Sequence, residues 1–318
     1  MIEQALDITI IVPSYNTREL LKECFASIYE HTRGIQFEVI CVDDNSSDGS
    51  ADMVANDFPQ VILVRNPVGQ LYAKNNNLGM KMSRARYACL LNSDTKLIAN
   101  AFQALVQFMD SHPDAAACTP KLLNADGSTQ ICVRRFAGLG TLILQGLNFY
   151  RFFPKGKVAT KYYAADFDHS YEQVIEALGT TAFVIRRETW EEVGLLDERF
   201  PMYQVDLAYC YTLKTKGYKV YYTPCAEIIH YGSQSVNQKA IAGIRMQHQA
   251  FIDFSDHYDY FSSNRVAKFL IRQAVRLRYG LKLAEYYLGK DKRVIKGPGR
   301  AQIHQRVGDY PSSKSPTA

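Results

Sequence analysis

Acidic and amide residues gather in this chain where apolar runs stop. Tyr87-Ala88-Cys89-Leu90-Leu91 is five apolar or aromatic residues without alternation, and it ends abruptly in Asn92-Ser93-Asp94. Such a run, too short for a helix, reads as a strand buried on both faces. In an open parallel sheet ligands bind at the carboxyl ends of such strands. A carboxylate there can hold a divalent cation against a phosphorylated ligand, because Mg²⁺ takes oxygen ligands and shares them with substrate phosphates. The same residues also suit a plain helix N-cap. A second loop, Asp43-Asp44-Asn45-Ser46-Ser47-Asp48-Gly49-Ser50, is ordinary turn material by composition. Its adjacent carboxylates could equally accept from a nucleobase imide or a ribose hydroxyl, and in Pro13-Ser14-Tyr15-Asn16 the ring of Tyr15 could face a base.

The elements that must position these loops follow from the periodicity. Residues 8–12 and 38–42 read as β-branched strands, 61–65 as a third and 87–91 as a fourth. Between them residues 17–29 place Leu20, Leu21, Cys24, Phe25 and Ile28 on one helical face, a short helical pattern runs to Phe58, and 71–83 forms a third helix. The order β-α-β-α-β-α-β predicts an α/β fold with a mostly parallel sheet flanked by helices and right-handed crossovers. The loops at issue therefore emerge on one edge. The sequence has no G-x-G-x-x-G and no Gly-rich phosphate loop with Lys, which argues against dinucleotide and P-loop sites.

Composition sets the remaining bounds. The 318 residues are 47% hydrophobic, enough for a large core. Residues 236–318 hold 15 Lys and Arg against 6 Asp and Glu, whereas 1–235 hold 22 against 26, so a slightly acidic body carries a basic tail. Seven scattered cysteines without C-x-x-C spacing point to a reducing compartment and not to structural zinc. Lacking a signal peptide or an apolar stretch of spanning length, the protein is expected to be cytoplasmic, with peripheral attachment to the inner face of the cytoplasmic membrane as the alternative.

Four motifs in register, Pro13-Ser-Tyr-Asn16, Val42-Asp-Asp-Asn-Ser-Ser-Asp-Gly-Ser50, residues 66–79 and Leu90-Leu-Asn-Ser-Asp-Thr95, resemble the first half of a family 2 glycosyltransferase of the GT-A fold. Gly179-Thr-Thr-Ala-Phe-Val-Ile-Arg-Arg187, Glu192-Val-Gly-Leu-Leu-Asp-Glu-Arg-Phe200 and His230-Tyr-Gly-Ser-Gln-Ser235 extend the resemblance to residue 235, nearest in flavour to the bacterial rhamnosyltransferase-like branch. It implies a GT-A domain over 1–235, divided into a nucleotide-binding half (1–98) and an acceptor and catalytic half (99–235). A basic helical extension (236–290) and a disordered tail (291–318) would follow.

The resemblance also assigns roles. A UDP- or dTDP-sugar would lie on Pro13, Tyr15, Asn16, Asp44, Asn77, Asn92, Ser93, Gly179 and Thr180, and Asp94 with His230 would hold Mg²⁺ or Mn²⁺. Asn92 replaces the first acid of the family's D-x-D element, leaving one direct carboxylate. The expected activity is inverting transfer of a sugar, rhamnose among the candidates, to a hydroxyl of a polysaccharide or lipid-linked acceptor. Family members usually carry Glu-Asp-x-Asp in the following helix, the Asp after Glu serving as base. Here the corresponding positions are Val205, Asp206 and Ala208. Asp206 is thus either the base or a helix-start carboxylate favoured by the dipole, and a catalytically impaired nucleotide-sugar-binding protein is the alternative reading. His230 closes the apolar run 226–229, where a purely structural hydrogen bond is the other option. The Arg186-Arg187 pair is expected to be solvated after its strand, with a place on the acceptor side as the alternative. Two segments suit either packing or a lipid surface: 136–153, apolar and flanked by cations, and 264–287, a basic amphipathic helix or helix pair interrupted at Gly280. Nucleic acid is not an expected partner, since no recognised module is present.

Overall fold

The computed structural model describes residues 5–136, 164, 166–232 and 240–288. The segment 137–163, which contains most of the suspected lipid-facing flap, Ser233 and Ser235 and the tail 291–318 lie outside them. The first half alternates as its sequence dictates: β1 (Ile8–Ser14), α1 (Arg18–His31), β2 (Phe37–Asp43), α2 (Ser50–Asp57), β3 (Ile62–Arg65), α3 (Leu71–Met82) and β4 (Tyr87–Leu91). On α1 the five residues expected on one face are all buried. β4 is buried along its whole length, as a strand covered on both faces must be.

The second half comprises β5 (Thr95–Leu97), α4 (Ala101–Ser111), β6 (Ala115–Leu123), β7 (Thr129–Gln130), β8 (Val133–Arg134), β9 (Gln173–Ile175), β10 (Ala177–Leu178), β11 (Ala182–Arg186), α5 (Arg187–Val193), α6 (Val205–Thr215) and β12 (Lys219–His230). The main sheet runs β3-β2-β1-β4-β11-β6-β12-β5. Strands β1 to β4 are mutually parallel; β11 enters antiparallel between β4 and β6, and β12 runs parallel to β6. Two antiparallel steps restore direction, so the carboxyl end of β12 lies on the same edge as those of β1, β2 and β4. The start of β11 lies there as well.

Two helices follow, α7 (Ala240–His257) and α8 (Arg265–Tyr287). α8 runs unbroken through Gly280, so the interruption expected there does not occur. Arg186 and Arg187 are likewise not simply solvated. Arg186 donates to the carbonyls of Met109, His112 and Ala115, and Arg187 to those of Ser83 and Ala85. Their planar guanidinium forks serve several otherwise unsatisfied carbonyls at the closed end of the sheet.

The approach of α3 to the sheet is set by Gly79, where a Cβ would lie 2.4 Å from Ile11 Cγ2 and 3.2 Å from Ile11 Cβ. Since Ile11 is fully buried, Gly79→Ala is expected to cost about 1–3 kcal/mol by overpacking, read as a lowered urea midpoint. An unchanged midpoint would show that α3 can lift from β1.

Candidate functional site

The loops at this edge are tied to one another before any ligand is considered. Ser46 Oγ accepts from the Asn16 amide at 3.0 Å, and Asn16 Oδ1 accepts from the Ser47 amide at 2.7 Å, joining the loops after β1 and β2. Ser93 is held by Thr17, whose hydroxyl is 3.0 Å away and which also contacts Ser14 Oγ. The Asn92 amide donates to the Thr181 carbonyl, bringing β4 and the start of β11 together. Pro13 and Tyr15 are partly buried beside them.

Asp44 is buried, and its two oxygens accept from the backbone amides of Gln70 (2.6 Å) and Leu71 (3.1 Å). Leu71 has φ 66°, a left-handed conformation costly for a Cβ-bearing residue. Asp44 thus clamps the strained entry to α3. Asn16, Asn45 and Gln204 also have positive φ, so the strand-end loops and the approach to α6 concentrate strain. Asn77 is engaged away from the other candidates: Nδ2 donates to the Leu196 carbonyl and to Glu198, and Oδ1 accepts from the Leu196 amide. It bolts α3 to the turn before Phe200.

Asp94 and His230 do meet. Asp94 Oδ1 lies 3.3 Å from His230 Nε2, and the Tyr231 amide donates to the Asp94 carbonyl. The ring is oriented by Gln130, a residue that sequence reading missed. Gln130 Nε2 donates to the His230 carbonyl (3.1 Å) and to Asn124 Oδ1 (2.9 Å), which leaves Oε1 to face His230 Nδ1 at 2.6 Å. Oε1 can only accept, so Nδ1 carries the proton. Nε2 is then a buried nitrogen without a hydrogen-bond partner beside a carboxylate that is 8% exposed. Either a second proton on the ring or a metal ion would complete this contact, and imidazole plus carboxylate is a competent donor pair for a divalent metal. Among the described residues no group of three or more His, Cys, Asp or Glu forms a closed metal cage. A bound cation would therefore draw the rest of its shell from ligand and solvent oxygens.

Asp206 sits in the first turn of α6, partly buried, with Gly179 close to its carboxylate: a Cβ at Gly179 would lie 4.0 Å from Asp206 Oδ2. Burial raises the Asp206 carboxyl above the ordinary range, while the Leu207 amide (2.8 Å), Arg134 and the Thr180 amide oppose that rise. Tyr72 adjoins the same place, its hydroxyl donating to the Thr180 carbonyl at 3.0 Å and its own pKa driven up by burial and then by Asp206. Tyr72 and Arg134 carried no signal in the sequence beyond ordinary core and charge. Val205 and Ala208, where relatives would place acids, are 1% and 0% exposed and belong to the core. The face of α6 that is buried runs through Val205, Ala208, Tyr209, Cys210 and Leu213. An open hollow lined by Arg199, Phe200, Asp253, Asp256 and His257 includes none of the candidate residues.

A parallel sheet extended by an antiparallel insertion, with acids at its strand ends and another on a second-half helix, defines a GT-A glycosyltransferase. The chain belongs to glycosyl transferase family 2, which it matches over residues 9–169. It is 26% identical over 240 residues to the O-antigen biosynthesis protein RfbC of Myxococcus xanthus, a match covering 74% of this chain and 18% of that protein. Identity is 23% over 263 residues to the N-acetylglucosaminyl-diphospho-decaprenol L-rhamnosyltransferase of Mycobacterium tuberculosis (strain ATCC 25618 / H37Rv), covering 78% and 84%. The chain thus spans under a fifth of the first relative but most of the second. In fold it is similar to the mannosyltransferase PcManGT of Pyrobaculum calidifontis in complex with GDP-Man and Mn²⁺. There the TM-score is 0.53 at 17% identity, covering 96% and 80% of the two chains. A structure of GalNAc-T7 with UDP, GalNAc and Mn²⁺ gives 0.54 at 14%, covering 91% and 58%.

The elevated Asp206 carboxyl has a stability consequence. Ionisation is harder in the folded protein, so the cost is absent while the group is protonated in both states and is complete above the folded pKa. Asp206→Asn is therefore expected to melt higher at pH 7 than the wild type. The gap should open as pH rises from about 4, by about 1.4 kcal/mol for each pH unit by which folding raises the pKa. A gap that does not vary with pH would show that Asp206 is not held in a desolvated site.

Proposed function

We propose that the protein transfers a sugar, rhamnose among the candidates, from a nucleoside diphosphate sugar to a hydroxyl of a glycan or lipid-linked acceptor, with inversion at the anomeric carbon. The observation that carries this reading is the convergence on one sheet edge of the Asp94–His230 pair and, on the adjoining start of β11, Gly179 and Thr180 beside Asp206. The named neighbours bound to Mn²⁺ with UDP or GDP-Man, and the decaprenol-linked relative, support the substrate classes.

Asp94 and His230 would hold Mg²⁺ or Mn²⁺, with Gln130 fixing the imidazole tautomer so that Nε2 is available. A divalent ion there supplies positive charge to a departing diphosphate. The chain's own groups do the rest. Tyr15, Asn16, Asn92 and Ser93 form the wall of the donor site, and Asp44 keeps the α3 entry in place beneath it. Asp206 takes the proton from the acceptor hydroxyl, and its raised pKa brings it closer to that task than an ordinary surface carboxylate. With Asp206 as the base and no second carboxylate beside it among the described residues, displacement would be direct. UDP and dTDP are the favoured carriers, and the acceptor is met at a membrane surface.

Calorimetry with a panel of nucleoside diphosphates, with and without Mn²⁺, is expected to show metal-dependent binding of one of them, weakened at least about tenfold in Asp94→Ala. Binding of none by the folded wild type would overturn the reading. Once a donor and acceptor pair is found, Asp206→Asn should retain donor affinity while kcat falls about 10²- to 10⁴-fold. Unchanged turnover in that variant would remove Asp206 as the base.

A further inference from the structure

α8 carries two apolar faces, and only one is used. Ile271 and Val275 point inward and pack with Phe251, Ile252 and Phe261. On the opposite side Val266, Phe269, Leu270, Leu277, Leu281 and Leu288 are each 46–67% exposed. At 100° per residue these six fall within about a third of the helix circumference. Together they make one stripe along the whole element, far beyond the scattered exposed leucines of an ordinary surface.

The charge beside the stripe identifies what it meets. Of the six cations on α8, Lys268 pairs with Asp259, Arg272 with Asp256 (2.8 Å) and Lys282 with Glu285 (2.6 Å). Arg265 and Arg276 flank the stripe, are exposed, and have no acid partner among the described residues. In sequence, residues 289–318 add seven Lys and Arg against two Asp. A second copy of the helix would use the seam Ala267, Leu270, Ala274, Leu277, Leu281, Ala284 and Leu288, with spacings alternating between three and four; three of its knobs are alanine, and it leaves Phe269 and the basic flank outside the contact. A lipid surface demands only breadth, apolarity and a basic flank.

We propose that the outward face of α8 docks the protein onto an anionic lipid surface, lying in the interface and not crossing it; no helix among the described residues is long and apolar enough to span a membrane. The docking helix is coupled to the catalytic half. α8 rests on α7, and Phe254 of α7 packs against Phe200 and Tyr211, the latter on the helix that begins at Asp206. An acceptor held in a membrane would thus be approached from the side of the molecule that carries the base. The docking surface itself stands on its own observation and does not depend on the transferase reading.

Flotation of the full chain with vesicles, without nucleotide or metal, tests it. Binding to phosphatidylcholine vesicles containing about a third phosphatidylglycerol is expected to exceed binding to pure phosphatidylcholine at least about tenfold and to weaken with salt. Leu270→Gln/Leu277→Gln/Leu281→Gln should lose about 100-fold or more of that partitioning with an unchanged melting temperature, because all three side chains are exposed. Arg265→Gln/Arg276→Gln should lose about tenfold or more and leaves the packing untouched should the triple variant fold poorly. Failure of the wild type to bind either vesicle would overturn the proposal, as would undiminished binding by both variants. Sedimentation showing a dimer that the leucine changes dissociate, without vesicle binding, would assign the face to a second copy instead.

Discussion

The antiparallel entry of β11 between β4 and β6 is the constraint on which the site depends. A purely parallel continuation would have put the start of β11 at the far edge, away from Asn92 and Asp94. Because β11 is reversed, Ala182 pairs with Leu91, and the Asn92 amide reaches the Thr181 carbonyl. Gly179 and Thr180 are thereby delivered to the ligand edge, and Asp206 packs against them. The second reversal, from β11 to β6, lets β12 run with β4 and end in His230 opposite Thr95. One hydrogen-bonding register thus makes the two halves converge.

Convergence brings acids together in partial burial, and each is compensated differently. Asp44 receives two backbone amides, and in return holds Leu71 in a conformation the residue would not choose. Asp43 receives the Ser46 amide on one oxygen, while its Oδ1 is buried without a partner. Asp94 faces an imidazole whose protonated nitrogen is turned the other way. Asp206 has amides and a nearby guanidinium but still rises with burial. Asp44 is the carboxylate held on both oxygens by backbone amides, and it shapes the entry to α3. Asp94 is instead set against a histidine, and Asp206 stays raised by burial despite its amides, the kind of environment in which candidate site acids are found.

Much of this was legible because it is local. The α1 face and the run from Tyr87 to Leu91 follow from residue spacing alone, and the loop acids stand directly after apolar strands. What the sequence hid depends on contacts between residues 71 or more positions apart. Gln130 lies in a two-residue strand and acts on His230. Tyr72 on α3 bonds to Thr180, and Asn77, which the resemblance places with the donor, is bound to Leu196 and Glu198. Arg186 and Arg187 look like solvated charge until the sheet supplies carbonyls for them. Side-chain direction at such positions is set by tertiary neighbours and leaves no periodicity to read.

Val205 and Ala208 bear on whether the active site has decayed. Loss of an acid from a working site would leave a small or polar residue exposed in the cleft, with the cleft otherwise intact. Here both side chains instead belong to the buried face of α6, alongside Cys210 and Leu213. A carboxylate at either place would be desolvated without a partner, at a cost of several kcal/mol. The apolar residues therefore stabilise the helix that presents Asp206, and they lower the local dielectric that raises its pKa. Burial thus accounts for the apolar residues at both positions and leaves Asp206 as the acid of the helix's first turn.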